Sequence, residues 1–444
     1  MKKDIFLGVG GSASSNIFGK YFFNRPSWGV ENLVESDNFI VILMSGVDSG
    51  GSIGMQNDLY EIKNGLVNGY LHGRTDFPFQ SYGDLKHFII QSLNFKKPEV
   101  IWKNFLDFRS NNLGSHQQKF FEFSHLTNLP ITINHGFVRY LKLFFEYFQE
   151  NKQHLKPERI KPVCLGNVLL SFLHYTAGHI NNLTSLMQEF GLIPNWVDFV
   201  FLSENRTYLR GMDFFGNQVN GEHLFDEWEQ PILPQSHEIV DYEKTSLTIN
   251  PRVLEYLSDL HYQDKIIIPP GSDSNWIGIV NNAQIFNLIK NHTILWLANL
   301  FRFTSETPLP QTINYLCSLG LKLQIFLPEI NFAQQLFKFE NLRSLESYVL
   351  KEHKVPQLLY FEKYKDLVNQ GLAKIANKQS KTDLVSILEK EMSSSKTLLP
   401  NHWGSNLHYL VKIKSVGISY CHDSDFAVSW LKNPCLTQDR LNIA

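Results

Sequence analysis

The chain has 444 residues, and at roughly 150 residues per domain this length allows two or three domains. Hydrophobic residues make up 43% and charged residues 19%, a globular composition with enough apolar material for a buried core. The formal net charge is −2, so no overall field favours nucleic acid or an acidic membrane surface. We therefore expect neither nucleic acid nor a membrane as a partner.

The apolar runs and the cysteines point to a reducing compartment. No apolar segment approaches the roughly 20 residues needed to cross a bilayer. The apolar stretch at 5–7 is also shorter than the about 7–15 residues of a signal-peptide core. The four cysteines form no close pair and no metal-binding spacing: Cys164, Cys317, Cys421 and Cys435. These features predict a cytoplasmic protein.

Short apolar runs alternate with amphipathic stretches along the chain. The predicted strands are 4–9, 39–46, 197–204, 265–268, 293–300 and 322–329. The predicted helices are 17–24, 82–95, one long helix within 162–192, a helix from about 275 to 289, and another that begins near 312. Buried strands that alternate with helices are typical of a parallel sheet covered on both faces. The sequence therefore predicts an α/β fold.

Two regions differ from this pattern. Residues 95–160 are rich in Phe, Asn, His and Lys, and their weaker alternation indicates a helical insertion. Residues 396–444 contain aromatic side chains without a clear period. We therefore divide the chain into an α/β domain formed by 1–95 and 160–395, a helical insertion at 95–160, and a C-terminal extension at 396–444.

A glycine-rich turn follows the first predicted strand. Gly8, Gly10 and Ala13 match the G-x-G-x-x-[GA] spacing, in which backbone N–H groups approach a phosphate. The acid that ends the second strand, Asp48, lies 48 − 10 = 38 residues after Gly10, whereas a dinucleotide site places it about 20 residues on. The spacing disfavours a standard NAD site. A tight turn without a ligand is the alternative.

A second loop of small residues follows the second strand. Gly50 and Gly51 free the backbone, while Ser49 and Ser52 supply small hydroxyl groups. Asp48 opens this loop, where it could hold Mg²⁺ or a ribose hydroxyl. The alternative is a turn or helix-capping aspartate.

Further polar groups precede predicted helices. Asp84 follows Gly83 at a helix start, where a capping role is the commoner explanation, and Asn167 follows Gly166 in the same way. The turn after the fourth strand could bind phosphate through its backbone and hydroxyls, and its candidate residues are Gly271, Ser272, Asp273 and Ser274. His174 and His179 are five residues apart, so they do not share a helix face as metal ligands would.

Taken in order, these motifs resemble one family, that of CofD (2-phospho-L-lactate transferase) and the YvcK-type gluconeogenesis factors. The segments that carry the resemblance are GGSA (10–13) for GGTG, DSGGSIG (48–54) for DDGGSSG, GDLKH (83–87) for GDIRN, GN (166–167), PPGS (269–272) for GPGS, ANL (298–300) for CNL and SET (305–307) for GET. The resemblance spans about residues 4–395.

The resemblance implies a Rossmann-like three-layer fold for the domain at 1–95 and 160–395, a nucleotide diphosphate or UDP-sugar ligand bound there, Mg²⁺ as cofactor, and a homodimer. It implies transfer of a phosphorylated group onto a hydroxyl acceptor, with Asp48 and Asp84 as catalytic and metal-binding residues. The residues expected to hold the ligand are Gly10, Gly11, Ser12, Ser49, Gly50, Gly51, Ser52, Asn167, Gly271, Ser272, Asp273 and Ser274.

Two departures from the family pattern leave catalysis open. Ser49 stands where the family has a second acid, and Ala13 stands where it has a glycine. The glycine loop is similar to that of the YvcK branch, which binds a UDP-sugar and regulates. A non-catalytic UDP-sugar-binding regulator of carbon or cell-wall metabolism is therefore the alternative to a transferase.

Overall fold

The computed structural model describes residues 2–8, 38–47, 82–155, 157, 160–228, 230–241, 246–297, 301–303, 306–307, 309–327, 354–356, 407–411 and 431. Its strands are β1 (Lys2–Leu7), β2 (Asn38–Met44), β3 (Arg109–Ser110), β4 (Val163–Cys164), β5 (Val197–Phe201), β6 (Thr207–Met212), β7 (Gln218–Asn220), β8 (Glu238–Asp241), β9 (Lys265–Ile268), β10 (Thr293–Leu297), β11 (Phe301–Phe303), β12 (Lys322–Leu327), β13 (Lys354–Pro356) and β14 (Leu407–Val411). Its α-helices are α1 (Gly83–Lys96), α2 (Lys103–Leu106), α3 (Leu113–Thr127), α4 (Ile131–Asn151), α5 (Leu165–Ala177), α6 (Ile180–Glu189), α7 (Glu222–Glu227), α8 (Pro251–Ser258), α9 (Ile277–Asn281), α10 (Ala283–Ile289) and α11 (Leu309–Ser318).

The centre of the described fold is a seven-stranded sheet in the order β14-β12-β10-β9-β1-β2-β5. Every neighbouring pair in this sheet is parallel. From β1 the chain adds β2 and β5 in one direction. From β9, the neighbour of β1 on its other side, it adds β10, β12 and β14 in the opposite direction. This is the doubly wound order of Rossmann-like folds, and it confirms the α/β parallel sheet expected from the sequence.

Side chains of the strands alternate between two buried layers, as the period of two requires. In β1, Phe6 belongs to the cluster on one face, while Ile5 and Leu7 belong to the cluster on the other. In β10, Leu295 and Trp296 divide in the same way. Because both faces are apolar, both must be covered, and the strands read as continuous hydrophobic runs.

The helical insertion covers the face that carries Phe6. Its helices α2, α3 and α4 contribute Leu106, Phe120 and Phe137 to the same buried cluster as Val168 of α5. Residues 103–151 of the described chain are therefore largely helical, and their core is continuous with that of the sheet. The opposite face is covered by α8 to α11 and by a small antiparallel sheet in the order β7-β6-β8.

The long helix predicted within 162–192 is wrong, because two helices occupy that segment. Gly178 has a φ of 72° and ends α5, since its left-handed conformation is open to glycine at no steric cost. His179 then accepts a hydrogen bond from the backbone N–H of Asn181 and caps α6. The apolar period continues across the break, so periodicity alone did not reveal it.

Two further elements were not foreseen. The small sheet of β6, β7 and β8 is antiparallel and lies outside the main sheet. Strand β14 falls in the 396–444 segment and pairs with β12 at the edge of the main sheet. The division of the chain into domains stays a prediction. Among the helices described, none is both long and apolar enough to cross a membrane.

Candidate functional site

The strand order of the main sheet reverses between β1 and β9. Strand β1 is followed outward by β2, whereas its other neighbour, β9, begins the second half of the sheet. Ligands of open α/β sheets bind at the carboxyl ends of the strands, in the crevice at this reversal. In this chain the reversal lies between the segment that follows Leu7 and the segment that follows Ile268.

The two segments touch at Gly8. Its φ is 72°, and a Cβ placed there would overlap the carbonyl oxygen of Asn275 and lie 3.0 Å from the carbonyl carbon. The backbone N–H of Gly8 donates to the carbonyl of Leu43 at 2.9 Å. Only glycine combines this backbone conformation with such close approach. The first glycine of the predicted phosphate turn is thus held against the turn that follows β9.

The 271–275 turn is ordered by its own hydroxyl groups. The Oγ of Ser274 donates to the Oγ of Ser272 at 2.7 Å, and the N–H of Ser274 donates to the same oxygen at 3.3 Å. Ser272 therefore caps the short 3₁₀ turn Asp273–Asn275. Gly271 and Ser272 are partly exposed, whereas Ser274 is buried.

Asp273 is tied to a more distant part of the chain. Its backbone N–H donates to Oε1 of Glu306 at 2.6 Å, and its carboxylate accepts from Oγ1 of Thr312, in α11, at 3.3 Å. All three residues are buried. The side chain of Asp273 is therefore used to shape the turn, and the parts of the turn that remain partly exposed are Gly271 and Ser272.

Asp84 lies in the first turn of α1, and Tyr82 is the residue at the N-cap. The capping alternative for Asp84 is therefore wrong. A carboxylate in a first helical turn is favoured by the helix dipole. Tyr82 packs edge-on against Phe201, the last residue of β5, with 6.4 Å between ring centroids. The start of α1 consequently lies at the carboxyl edge of the sheet, by which we mean the side on which its parallel strands end.

The start of α5 is packed against α1 through Lys86. A Cβ on Gly166 would lie 2.8 Å from Cδ of Lys86 and 2.5 Å from the carbonyl oxygen of Leu106. Asn167 follows in the first turn of α5 and is 1% exposed. The glycine that precedes Asn167 is thus explained by close packing, and the GDLKH and GN motifs meet in space.

Lys86 is almost completely buried and forms an ion pair with Asp107. Its Nζ also donates to the Sγ of Cys164 at 3.7 Å. Burial alone would raise the pKa of Asp107, but the Lys86 ammonium and its hydrogen bond outweigh burial and bring that pKa below its usual value. Burial and the charge of Lys86 lower the pKa of His87 to about 4, so His87 is neutral at pH 7.

A second polar pair joins α1 and α5. The hydroxyl of Tyr82 and Nδ1 of His174 are 2.6 Å apart, and Tyr82 is fully buried. Burial, with a smaller contribution from His179, lowers the pKa of His174 to about 4. His174 is only partly buried.

The predicted site residues divide into two groups. Asp84 and the 271–274 turn are described and lie at the carboxyl edge, and Asn167 is described where the start of α5 packs against α1. The others fall outside the described residues: Gly10, Gly11, Ser12, Asp48, Ser49, Gly50, Gly51 and Ser52. The sequence did not reveal the roles of Lys86 and Tyr82. It excluded His174 as a metal ligand but did not reveal its hydrogen bond with Tyr82. The only signal for Glu306 was its place in the SET segment.

Asp84 is the one candidate magnesium ligand that the described residues contain. No group of three or more His, Cys, Asp and Glu side chains within the described ranges could hold a metal ion. Mg²⁺ commonly takes one or two carboxylates plus the phosphates of its substrate. A single carboxylate at the carboxyl edge fits that donor set once a diphosphate is present.

A separate cavity of about 670 Å³ lies beside the small sheet. Its walls include Arg210 and Glu238, which form an ion pair at 2.6 Å, together with Ser236 and Asn281. Oδ1 of Asn281 accepts from Tyr315, and its amide donates to two backbone carbonyls. Gly8 and residues 271–275 are not among the residues that line it.

Comparison with known proteins identifies a related fold. The crystal structure of protein BH3568 from Bacillus halodurans is 13% identical and superposes with a TM-score of 0.52, covering 98% of this chain and 100% of that chain. A second structure, described as a member of the UPF0052 family (BH3568), is 16% identical with a TM-score of 0.48 and covers 83% of this chain and 90% of that one. The likeness to the first structure shows a shared fold. No family model and no curated protein sequence matches the chain.

Proposed function

We propose that this protein binds a nucleoside diphosphate derivative at the carboxyl edge of its sheet and transfers a phosphorylated group from it to a hydroxyl acceptor. The observation that carries the proposal is the contact between Gly8 and Asn275 at the reversal of the strand order. This contact joins two glycine-containing turns at the position where α/β sheets bind nucleotides.

The proposed roles follow from the chemistry of each segment. Backbone N–H groups at Gly10, Gly11 and Ser12 and at Gly271 and Ser272 would bind the phosphate oxygens, since amides near helix N-termini attract anions. Asn167 and the small loop of Ser49, Gly50, Gly51 and Ser52 would complete the pocket. Asp273 and Ser274 act by shaping the turn.

Asp48 and Asp84 would hold Mg²⁺, which would supply charge neutralisation to the diphosphate. The acceptor oxygen would form a bond to the phosphorus of the transferred group. The bond from that phosphorus to the bridging oxygen of the diphosphate would break, the nucleotide would leave, and the acceptor proton would pass to water. The contribution of the chain is to align the two reacting groups.

The structural neighbour supports the same family. Protein BH3568 is described as a member of the UPF0052 family, which is the family of CofD and YvcK-type proteins. This agrees with the resemblance carried by the sequence motifs. It supports a CofD- or YvcK-like protein without selecting a substrate.

A regulator that binds a UDP-sugar without consuming it is the second candidate. The observation that favours it is Ser49, which stands where the family has a second acid. The loss of one carboxylate removes a metal ligand but leaves the glycine backbone, so it weakens catalysis more than binding. A cytoplasmic homodimer remains the expected form for either candidate.

A thermal-shift panel of GDP, UDP, UDP-sugars and NAD, with and without Mg²⁺, tests the proposal. Ligand that binds the native state raises the melting temperature. We expect a Mg²⁺-dependent rise with a nucleoside diphosphate compound, and loss of turnover with retained binding in Asp48→Asn and Asp84→Asn. A rise with a UDP-sugar that needs no metal and gives no product would support the regulator. No rise with any nucleotide would contradict both.

A further inference from the structure

The contact between Tyr82 and His174 is a hydrogen-bonded pair that the proposed roles do not use. Tyr82 lies at the start of α1 and His174 in the last turn of α5, so two separate helices supply the pair. The Tyr82 oxygen and Nδ1 of His174 are 2.6 Å apart, and the two rings are nearly perpendicular at 82°. Tyr82 also packs on Phe201 at the end of β5, which fixes the pair at the carboxyl edge.

The protonation of the pair follows from its surroundings. The phenol of Tyr82 keeps its proton at pH 7, since the usual pKa of a tyrosine is about 10. His174 is neutral at pH 7, because burial and His179 lower its pKa to about 4. A neutral imidazole carries one proton and offers one acceptor nitrogen. When Nδ1 accepts the phenol proton, the imidazole proton resides on Nε2.

The second nitrogen of His174 has no hydrogen-bond partner in the described part of the chain. The nearby hydroxyls of Tyr140 and Ser171 lie 2.6 Å apart and are hydrogen-bonded to each other. His174 is partly exposed, and Tyr175 beside it is 50% exposed. An Nε2–H at this position is therefore a fixed donor close to solvent at the carboxyl edge.

We propose that His174 donates its Nε2–H to an anionic oxygen of the bound ligand, and that Tyr82 is a positioning residue that fixes the tautomer. The ligand oxygen belongs to a phosphate or a carboxylate, since these oxygens accept strongly from N–H donors. The inference rests on the proposed function for the presence of that ligand. It adds a neutral donor near the carboxyl end of β5.

The tautomer is measurable without any ligand. A long-range ¹H–¹⁵N correlation spectrum of the ¹⁵N-labelled protein, with His174→Gln to assign the signal, separates a protonated Nε2 from a protonated Nδ1. We expect a protonated Nε2 in the wild-type protein and a mixture of both tautomers in Tyr82→Phe. A wild-type imidazole protonated on Nδ1 would overturn the inference whether or not the protein binds a nucleotide.

The role in binding is tested by calorimetry with GDP and UDP, each with Mg²⁺. His174→Asn places its amide near Nδ1 and should weaken binding about 10- to 100-fold, the size expected for a lost hydrogen bond to a charged group. His174→Gln can place its amide near Nε2 and should restore most of the affinity. His125→Ala is the matched control, because His125 lies exposed in the last turn of α3.

Each outcome separates the inference from the proposed function. If the wild-type protein binds a nucleoside diphosphate and His174→Asn binds it equally well, the inference fails and the proposed function stands. If His174→Gln loses as much affinity as His174→Asn, the Nε2 donor is refuted in the same way. If the wild-type protein binds neither GDP nor UDP while its melting curve is normal, the proposed function fails and takes the inference with it.

Discussion

Two polar regions at the carboxyl edge use their side chains differently. In the 271–275 turn, Ser272 and Ser274 bond to each other, and Asp273 is held by Glu306 and Thr312. These side chains shape a backbone. Where α1 meets α5, in contrast, side chains join separate elements, as Lys86 does with Asp107 and Tyr82 with His174. A polar residue that follows a strand can therefore order the backbone of a turn instead of presenting its own side chain at the surface.

The largest expected effect tests the backbone contact at β1 and β9. Gly8→Ala must adopt a left-handed conformation, at about 1–2 kcal/mol, and must also overlap Asn275, at about 1–3 kcal/mol more. Gly178 is a matched control, because its φ is also 72° but a Cβ there would meet nothing within 4 Å. Urea unfolding should show Gly8→Ala losing clearly more stability than Gly178→Ala. Equal losses would mean that the contact with Asn275 is not tight.

The next effect tests the ion pair that joins α1 to the insertion. Asp107→Ala leaves Lys86 buried without its carboxylate, and we expect a loss of about 3 kcal/mol in the free energy of unfolding. The double variant Lys86→Met with Asp107→Leu should recover most of it, because no buried charge remains. Lys119→Ala, which breaks a surface pair with Glu122, should change little. A double variant as unstable as Asp107→Ala would contradict the electrostatic explanation.

A smaller effect should appear as pH dependence. His87 and His174 have folded-state pKa values of about 4, lowered chiefly by burial from the usual 6.5. The unfolded chain therefore binds protons below pH 6.5 that the folded chain does not bind. Stability is full above pH 6.5 and is lost as pH falls toward 4, by on the order of 1–2 kcal/mol per histidine between pH 7 and 5. Urea unfolding at several pH values should show that the free energy of unfolding depends less on pH in the double variant His87→Gln/His174→Gln than in the wild type. An equal dependence in both proteins would contradict this explanation.

The smallest effect tests whether Glu306 acts through its acceptor oxygen. Glu306→Ala removes the acceptor for the N–H of Asp273 and should cost about 1–2 kcal/mol, while Glu306→Gln keeps an oxygen there and should cost less. Nucleotide affinity should fall in the alanine variant and largely survive in the glutamine variant. Equal losses in the two variants would show that the charge of Glu306, rather than the bond to the turn, is what matters.

Much of the sheet could be predicted because its strands are buried on both faces. The run of Ile266, Ile267 and Ile268 is apolar and β-branched throughout, and Pro269 and Gly271 follow it. These features favour a buried strand over a helix segment. The break at Gly178 was missed, because a lone glycine within a helical period is tolerated in many helices. Strand β14 was missed because it belongs to a segment with no clear period, and its place depends on pairing with β12.

The glycines of the candidate site could be predicted from the sequence, but the side-chain pairs around them could not. Gly8, Gly166 and Gly271 stand out in the sequence, since turns and close approaches select glycine. The pairs Lys86–Asp107 and Tyr82–His174 lie 21 and 92 residues apart, and no local pattern marks such contacts. Asp273 was predicted to bind a ligand, which stays a prediction, and only the fold shows its contacts with Glu306 and Thr312.

Hydrogen–deuterium exchange with and without GDP or UDP, each with Mg²⁺, tests the location of the ligand most directly. If the nucleotide binds where the strand order reverses, peptides covering 269–276 and 82–87 should gain protection. Peptides covering 235–239, beside the separate cavity of about 670 Å³, should not change. Protection confined to 235–239, or no protection with either nucleotide, would contradict a nucleotide site at the carboxyl edge.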